Sequence, residues 1–152
     1  MLVIYTPAEG EPERYSVDDL SAMESEAIER VTGMEWHEVD QALKKQAPGV
    51  MRAVVWVWRK RQQPTLRFSD FDVPGWRKRL KARLEYDDVV TLLPQVRKAA
   101  ESDEEFADLL EEMRKACDDP ADLDRALKED GPKEESAAPG GAAESGASLN
   151  DA

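Results

Sequence analysis

The stretch that decides the fold is Val50-Met51-Arg52-Ala53-Val54-Val55-Trp56-Val57-Trp58-Arg59-Lys60-Arg61, which contains the longest apolar run in the chain. Its β-branched residues would also suit a buried strand. Its length before Pro64, about thirteen residues, and the helical patterns on either side favour a helix. Because apolar residues fall on nearly all sides of this helix, we expect it to be the central, most buried element. Trp56 and Trp58 point in different directions on a helix, so we expect one of them in the core.

The residues before this stretch predict a hairpin and two helices. Residues 2–5 and 13–17 bracket a turn-prone segment and favour a short β-hairpin. The first helix is predicted to begin at Ser16, with Asp19 as its capping-box partner and Gly33 at its end. A second helix is predicted over residues 35–46, with an inward stripe of Trp36, Val39 and Leu43, before Pro48-Gly49 interrupts the chain.

The residues after the central stretch predict a loop and further helices. Residues 64–75 favour a loop in which Phe68 and Phe71 point inward. A short basic helix is expected next, with Trp76, Leu80 and Leu84 on one face, followed by an apolar stretch at 89–96 that Pro94 breaks. Two final helices are predicted. Ser102 and Glu105 form a capping box at the start of the first. Asp119 and Pro120 mark the start of the second, and Gly131 its end.

The sequence therefore predicts a mainly α fold with a minor N-terminal β-hairpin and a disordered C-terminal tail. Residues 1–130 form the helical domain. Residues 131–152 are acidic and rich in Ala, Gly and Ser, with almost no large apolar side chain. Such a segment buries too little apolar surface to offset its conformational entropy, so we expect it to be disordered.

Charge is segregated along the 152 residues, which carry a net charge of −12. Residues 1–48 carry −7, residues 49–88 carry +5 and residues 89–152 carry −10. The overall balance disfavours nonspecific binding to nucleic acid or anionic lipid. A basic middle between acidic flanks indicates internal ion pairing, or a central surface that meets an acidic partner.

The sequence predicts no membrane span and no export. Its N-terminus lacks the basic and apolar regions of a signal peptide. The longest apolar run is far below the roughly twenty residues that span a bilayer. One cysteine, Cys117, excludes an internal disulfide framework. We therefore expect a cytosolic protein.

Residue patterns typical of catalysis are missing from the sequence. It has no Gly-rich phosphate loop, no nucleophile elbow and no zinc-ligand spacing. The single histidine, His37, is expected to be an exposed polar residue, and Cys117 to be a small core residue. We therefore expect no enzyme, no cofactor, no catalytic residue and no metal site.

Large aromatic residues are the candidate partner contacts, because such side chains dominate the energetics of protein interfaces. The candidates are Trp36, Trp56, Trp58, Phe68, Phe71 and Trp76. An alternative is a nucleic-acid surface, since residues 59–61 and 77–83 place bases beside aromatics. The acidic flanks would compete for those bases, so nucleic acid is the weaker alternative.

Three stretches resemble a known family. They are Ala27-Ile28-Glu29-Arg30-Val31-Thr32-Gly33-Met34-Glu35-Trp36, then Ala53-Val54-Val55-Trp56-Val57-Trp58-Arg59-Lys60-Arg61, then Pro64-Thr65-Leu66-Arg67-Phe68-Ser69-Asp70-Phe71-Asp72. The first resembles an "IE+.TG..W" signature, and the others resemble an apolar helix with a basic end and a "P.L.F.D.D" loop. In this order and spacing they resemble the tail assembly chaperones of long-tailed bacteriophages, particularly those of actinobacteria.

The resemblance implies a non-catalytic chaperone that binds the long, helical tape measure protein while the tail tube polymerises around it. It implies location in the host cytoplasm and absence from the mature virion. It also implies a longer form made by programmed ribosomal frameshifting, for which Gly131-Pro132-Lys133 is a candidate slippery site if encoded GGC-CCA-AAG. Self-association is a second interaction that we consider. The alternative functions are a structural head–tail or tail component of the virion and a small nucleic-acid-binding regulator.

Overall fold

The computed structural model describes residues 1–131, which form seven α-helices and a three-stranded antiparallel sheet. The strands are β1 (Leu2–Tyr5), β2 (Glu13–Ser16) and β3 (Leu80–Arg83). The helices are α1 (Ala22–Thr32), α2 (Trp36–Lys44), α3 (Pro48–Lys60), α4 (Trp76–Arg79), α5 (Tyr86–Ala99), α6 (Asp103–Ala116) and α7 (Ala121–Asp130). The predicted fold class, mainly α with an N-terminal hairpin, is confirmed.

Helix α3 is the central element, as the apolar run predicted. Seven of its residues are buried, and they lie on several sides of the helix, so α1, α2 and the sheet all pack against it. Pro48-Gly49 begins this helix and does not interrupt the chain. Pro48 suits the first turn of a helix, where its missing N–H would have no intrahelical partner.

The sheet has a third strand that the sequence analysis missed. Strand order is β2-β1-β3, with Val3 opposite both Tyr15 and Ala82. The predicted basic helix through Trp76, Leu80 and Leu84 is wrong, because α4 ends at Arg79. A spacing of four places residues on one face of a helix and also on one face of a strand. Burial of Leu80, Ala82 and Leu84 shows the strand alternation.

Helix α1 begins later than predicted. Ser16 precedes only a 3-10 turn, Val17–Asp19. The capping box belongs to Ser21, whose Oγ accepts from the Glu24 N–H at 3.2 Å while Glu24 accepts from the Ser21 N–H at 2.9 Å. The Ser16 hydroxyl donates instead to the Glu85 carboxylate at 2.8 Å. The predicted end at Gly33 is confirmed, with a left-handed φ of 68°.

Helix α5 runs through Pro94, so the predicted break is wrong. Pro94 lies on the exposed face and leaves only the Val90 carbonyl without its helical donor. Val90 is 44% exposed, so water can supply that donor. The start of α6 is confirmed, since Ser102 accepts from the Glu105 N–H at 3.1 Å.

Helix α7 follows the predicted signals. Pro120 has helical dihedral angles, and Asp119 accepts from the Ala121 N–H at 2.9 Å. The helix ends at Asp130, next to Gly131. The predicted tail after Gly131, and the remainder of the candidate slippery site, lie outside the described residues. Among residues 1–131, no helix is long and apolar enough to cross a membrane.

Candidate functional site

The six aromatic candidates do not form one surface. Trp56 lies in the core, with 5% of its surface exposed. Its indole N–H donates to the Leu66 carbonyl at 3.0 Å, and its ring meets Phe68 edge-on at 5.4 Å between centroids. Trp56 thus anchors the 64–75 loop against α3 and is not available as a surface contact.

Trp58 lies on another side of α3, where two side chains cover it. Its ring stacks on Tyr15 at 5.2 Å between centroids, and the Arg61 guanidinium lies 3.6 Å from its centroid. The indole N–H is buried and has no hydrogen-bond partner within residues 1–131. Trp58 therefore helps to hold β2 on α3.

Phe68 and Phe71 are both half-buried and are linked by Arg52. The Arg52 guanidinium lies 3.9 Å from the Phe68 centroid, and its Nη1 donates to the Phe71 carbonyl at 2.8 Å. The Phe71 ring packs against Tyr5 at 6.3 Å between centroids. Both rings contact the core, as predicted. Trp36 and Trp76 are also partly buried against the core, at the starts of α2 and α4.

A mostly apolar groove of about 250 Å³ lies between the end of α1, the start of α3 and the Phe68 turn. Its lining consists of Val31, Thr32, Met34, Ala47, Gly49, Val50, Arg52 and Phe68. The left-handed Gly33 ends α1 and turns the chain, which places Met34 beside Val31 and Thr32 at the rim. Phe68 is thus the one aromatic candidate that lines this groove.

The start of α3 gives one end of the groove a positive character. No side chain caps α3, and its first turn contains no acidic residue. Uncapped N–H groups at the start of a helix carry a partial positive charge. Arg52 stands one turn further along the same helix and adds a full positive charge.

Three clefts larger than the groove have linings in which more than half of the residues are charged. One, of about 410 Å³, is mostly basic and includes Trp76, Arg77, Lys81, Arg83 and Lys115. Another, of about 530 Å³, is lined mainly by carboxylates, which are Asp18, Asp19, Glu85, Asp87, Asp118 and Asp122. The third, of about 360 Å³, lies between α1 and the end of α3 and includes Glu24, Glu26, Arg30, Lys60 and Arg61. An apolar partner would have to displace water from these charged groups, whereas Arg52 is the one charged residue among those that line the groove.

Two arginines at the end of α3 pair with acids from the N-terminal segment. Arg59 Nη2 donates to Glu13 at 2.8 Å, and Arg61 Nε donates to Glu24 at 2.7 Å. The hydrogen bond from Arg61 lowers the pKa of the Glu24 carboxyl below its ordinary value. These bases therefore fix the N-terminal elements to α3, as the charge segregation indicated.

The remaining chemical groups show no assembled centre in the part of the chain that the structure describes. No group of three or more His, Cys, Asp or Glu side chains there is arranged to hold a metal ion. His37 is exposed on α2, 3.5 Å from Glu35. Cys117 is buried, and burial raises the pKa of its thiol, which keeps it protonated.

The sequence analysis missed most of the groove, because it favoured large aromatic side chains. Val50 was assigned to the buried central helix, and neither Val31 nor Met34 was among the candidate contacts. One feature of the sequence, Pro48-Gly49, does point to the groove. A proline can begin a helix, so a glycine directly after it lies in the first turn. Glycine is less favourable than alanine within a helix, so a glycine at this position indicates a role other than helix stability.

Comparisons of the chain with protein families, with curated proteins and with solved structures found no match. The groove and the resemblance of residues 27–36, 53–61 and 64–72 are therefore the observations that bear on function.

Proposed function

We propose that this protein is a non-catalytic tail assembly chaperone that binds the tape measure protein of a long-tailed bacteriophage during tail assembly. The observation that carries this proposal is the place where the resembling stretches meet. Residues 27–36 supply Val31, Thr32 and Met34 to the groove, and residues 64–72 supply Phe68. Residues 53–61 continue the helix that forms the opposite wall. Two of the three resembling stretches thus contribute to one apolar surface, whereas residues 53–61 supply no side chain to its lining.

The properties of this surface suit a protein that holds a helical chain. Apolar lining gains free energy by burying apolar side chains of the partner, and half-buried Met34 can adapt its shape to different contacts. The acidic remainder of the molecule, with a net charge of −12, keeps a complex with an apolar partner in solution.

Co-expression with the tape measure protein encoded by the same phage tests the proposal. We expect the tape measure protein to be mostly insoluble alone and to become soluble and co-purify when this protein is present. Soluble tape measure protein that does not co-purify would contradict the proposal.

Mass spectrometry of purified virions separates the chaperone from a structural component of the head–tail joint or tail. A chaperone should be absent from the finished particle, or present far below one copy per tail. Stoichiometric presence would favour the structural alternative.

A further inference from the structure

We propose that the groove binds an amphipathic helix that crosses α3 at Gly49 and places an acidic side chain against Arg52. This inference rests on the proposed function, because it takes the groove as the site that binds the partner. It goes further, because it specifies which segments of a partner the groove selects.

Gly49 is the first observation that points to a partner. It lies in the first turn of α3, and its φ is not positive, so no backbone conformation requires glycine there. A Cβ built on Gly49 would meet no atom within 4 Å, so packing inside the chain does not require glycine either. Glycine in a helix costs up to about 1 kcal/mol relative to alanine, and it permits close approach of another chain to the backbone. Because Gly49 lines the groove, that other chain would be the occupant.

The walls of the groove indicate that the occupant is helical. They consist of two helix ends and a 3-10 turn, with no strand edge among the lining residues. An extended peptide would therefore find few main-chain partners, whereas a helix satisfies its own backbone groups. The volume of about 250 Å³ is below the roughly 300–1,000 Å³ of cavities that bind drug-sized molecules. It suits one or two anchoring side chains of a docked helix.

Arg52 indicates that the occupant is acidic. Within the described residues, Arg52 donates through Nη1 alone, to the carbonyls of Phe71 and Phe68. Within residues 1–131, Nε and Nη2 of Arg52 have no hydrogen-bond acceptor, and one face of the guanidinium lies on the Phe68 ring. These contacts hold the guanidinium in place and leave N–H groups free for a carboxylate. The uncapped start of α3 at Gly49 and Val50 attracts the same charge.

Three synthetic peptides test this inference on the full-length protein. Each is an amphipathic helix of about 20 residues, long enough to be helical, with leucines on one face. The peptides differ at a single position beside the leucines, where one carries Glu, one Gln and one Lys. We expect the Glu peptide to bind about five- to tenfold more tightly than the Gln peptide, and the Lys peptide to bind most weakly. The advantage of Glu should decrease as salt rises from about 0.05 to about 0.5 M.

Two protein variants locate the binding. Gly49→Leu places a large side chain in open space at the groove, so the Glu peptide should lose at least about tenfold in affinity. Ala121→Leu is the matched control, because Ala121 is exposed at the start of α7, outside the groove, and should bind as the wild type does. Gly49→Ala should fold with an unchanged or higher melting temperature.

Equal binding of the Glu and Gln peptides, absence of binding by all three, or full binding by Gly49→Leu would each overturn the inference. If the tape measure protein still co-purifies in that case, the proposed function survives. If the peptides behave as expected but the tape measure protein does not bind, the proposed function fails and the groove's selectivity stands.

Discussion

Gln46 hydrogen-bonds through its side-chain amide to both backbone groups of Ala82, as a neighbouring strand would. Gln46 Oε1 accepts from the Ala82 N–H at 2.9 Å, and its Nε2 donates to the Ala82 carbonyl at 2.8 Å. The next residue on this edge, Leu84, is bonded to Ala116 and Asp118. The outer edge of β3 is thereby closed to pairing with another chain.

This contact requires an unusual backbone at Gln46. Its φ is 60°, the only positive φ among non-glycine residues of the described chain. The left-handed conformation costs a residue with a side chain about 1–2 kcal/mol, but it turns the chain from α2 into α3 and directs the amide at β3. The two hydrogen bonds compensate for that strain.

We predict that Gln46→Ala and Gln46→Gly have different effects on stability. Both lose two hydrogen bonds, which should reduce the free energy of unfolding by about 1–2 kcal/mol. A glycine at this position would adopt the positive φ without strain, so Gln46→Gly should be about 1 kcal/mol more stable than Gln46→Ala. Urea denaturation measures this order, with Gln62→Ala, at an exposed position, as the control. Equal stability of Gln46→Ala and wild type would refute the role of this contact.

The two tryptophans of α3 should differ in their contribution to stability. Trp56→Ala removes a side chain that is 5% exposed and the contact with Phe68, which should cost on the order of 3–5 kcal/mol. Trp58→Ala removes a half-buried ring and should cost less. Thermal unfolding followed by circular dichroism compares them. A Trp56→Ala variant that melts at the wild-type temperature would disprove the central position of this residue.

Acid should weaken the attachment of α1 to α3. The pKa of Glu24 is lowered in the folded protein by the Arg61 hydrogen bond, from an ordinary value of 4.5. Its contribution to stability is therefore complete above about pH 4.5 and is lost as the pH falls through the lower, folded-state value. Glu24→Gln should show a smaller drop in melting temperature between about pH 7 and about pH 3 than the wild type.

Glu26→Gln is the control for this measurement. It removes another carboxylate of α1, whose partner Arg30 is exposed to water, so its acid sensitivity should match that of the wild type. An identical pH dependence of Glu24→Gln and wild type would show that the Arg61 pair does not stabilise the fold.

Local patterns in the sequence were sufficient to predict most of the helices but not to predict β3. Val50 to Lys60 has apolar residues on all sides, and no other element can place so many of them in the core. Leu80 and Leu84, by contrast, fit a helix or a strand equally well. Only pairing with β1, which is far from β3 in the sequence, decides between the two. No short-range pattern contains that information.

The groove was hard to predict for a related reason. Met34, Gly49 and Phe68 are far apart in sequence and become neighbours only when the left-handed Gly33 and Gln46 turn the chain. A positive φ at Gly33 follows from a helix-end pattern, whereas a positive φ at glutamine follows from none. No sequence pattern therefore predicted the turn that places Gly49 at the groove.

Co-purification of the tape measure protein with a groove variant tests the central claim most directly. Met34→Asp places a carboxylate at the rim of the groove, and Val90→Asp makes the same change at a 44% exposed valine on α5, outside the groove. Both variants should fold, as checked by thermal unfolding. We predict that Met34→Asp recovers about tenfold less tape measure protein than the wild type, because the added carboxylate removes apolar surface from the rim and repels the acidic side chain of the partner. Val90→Asp should recover as much as the wild type. Equal recovery with both variants would contradict the assignment of the groove as the binding site.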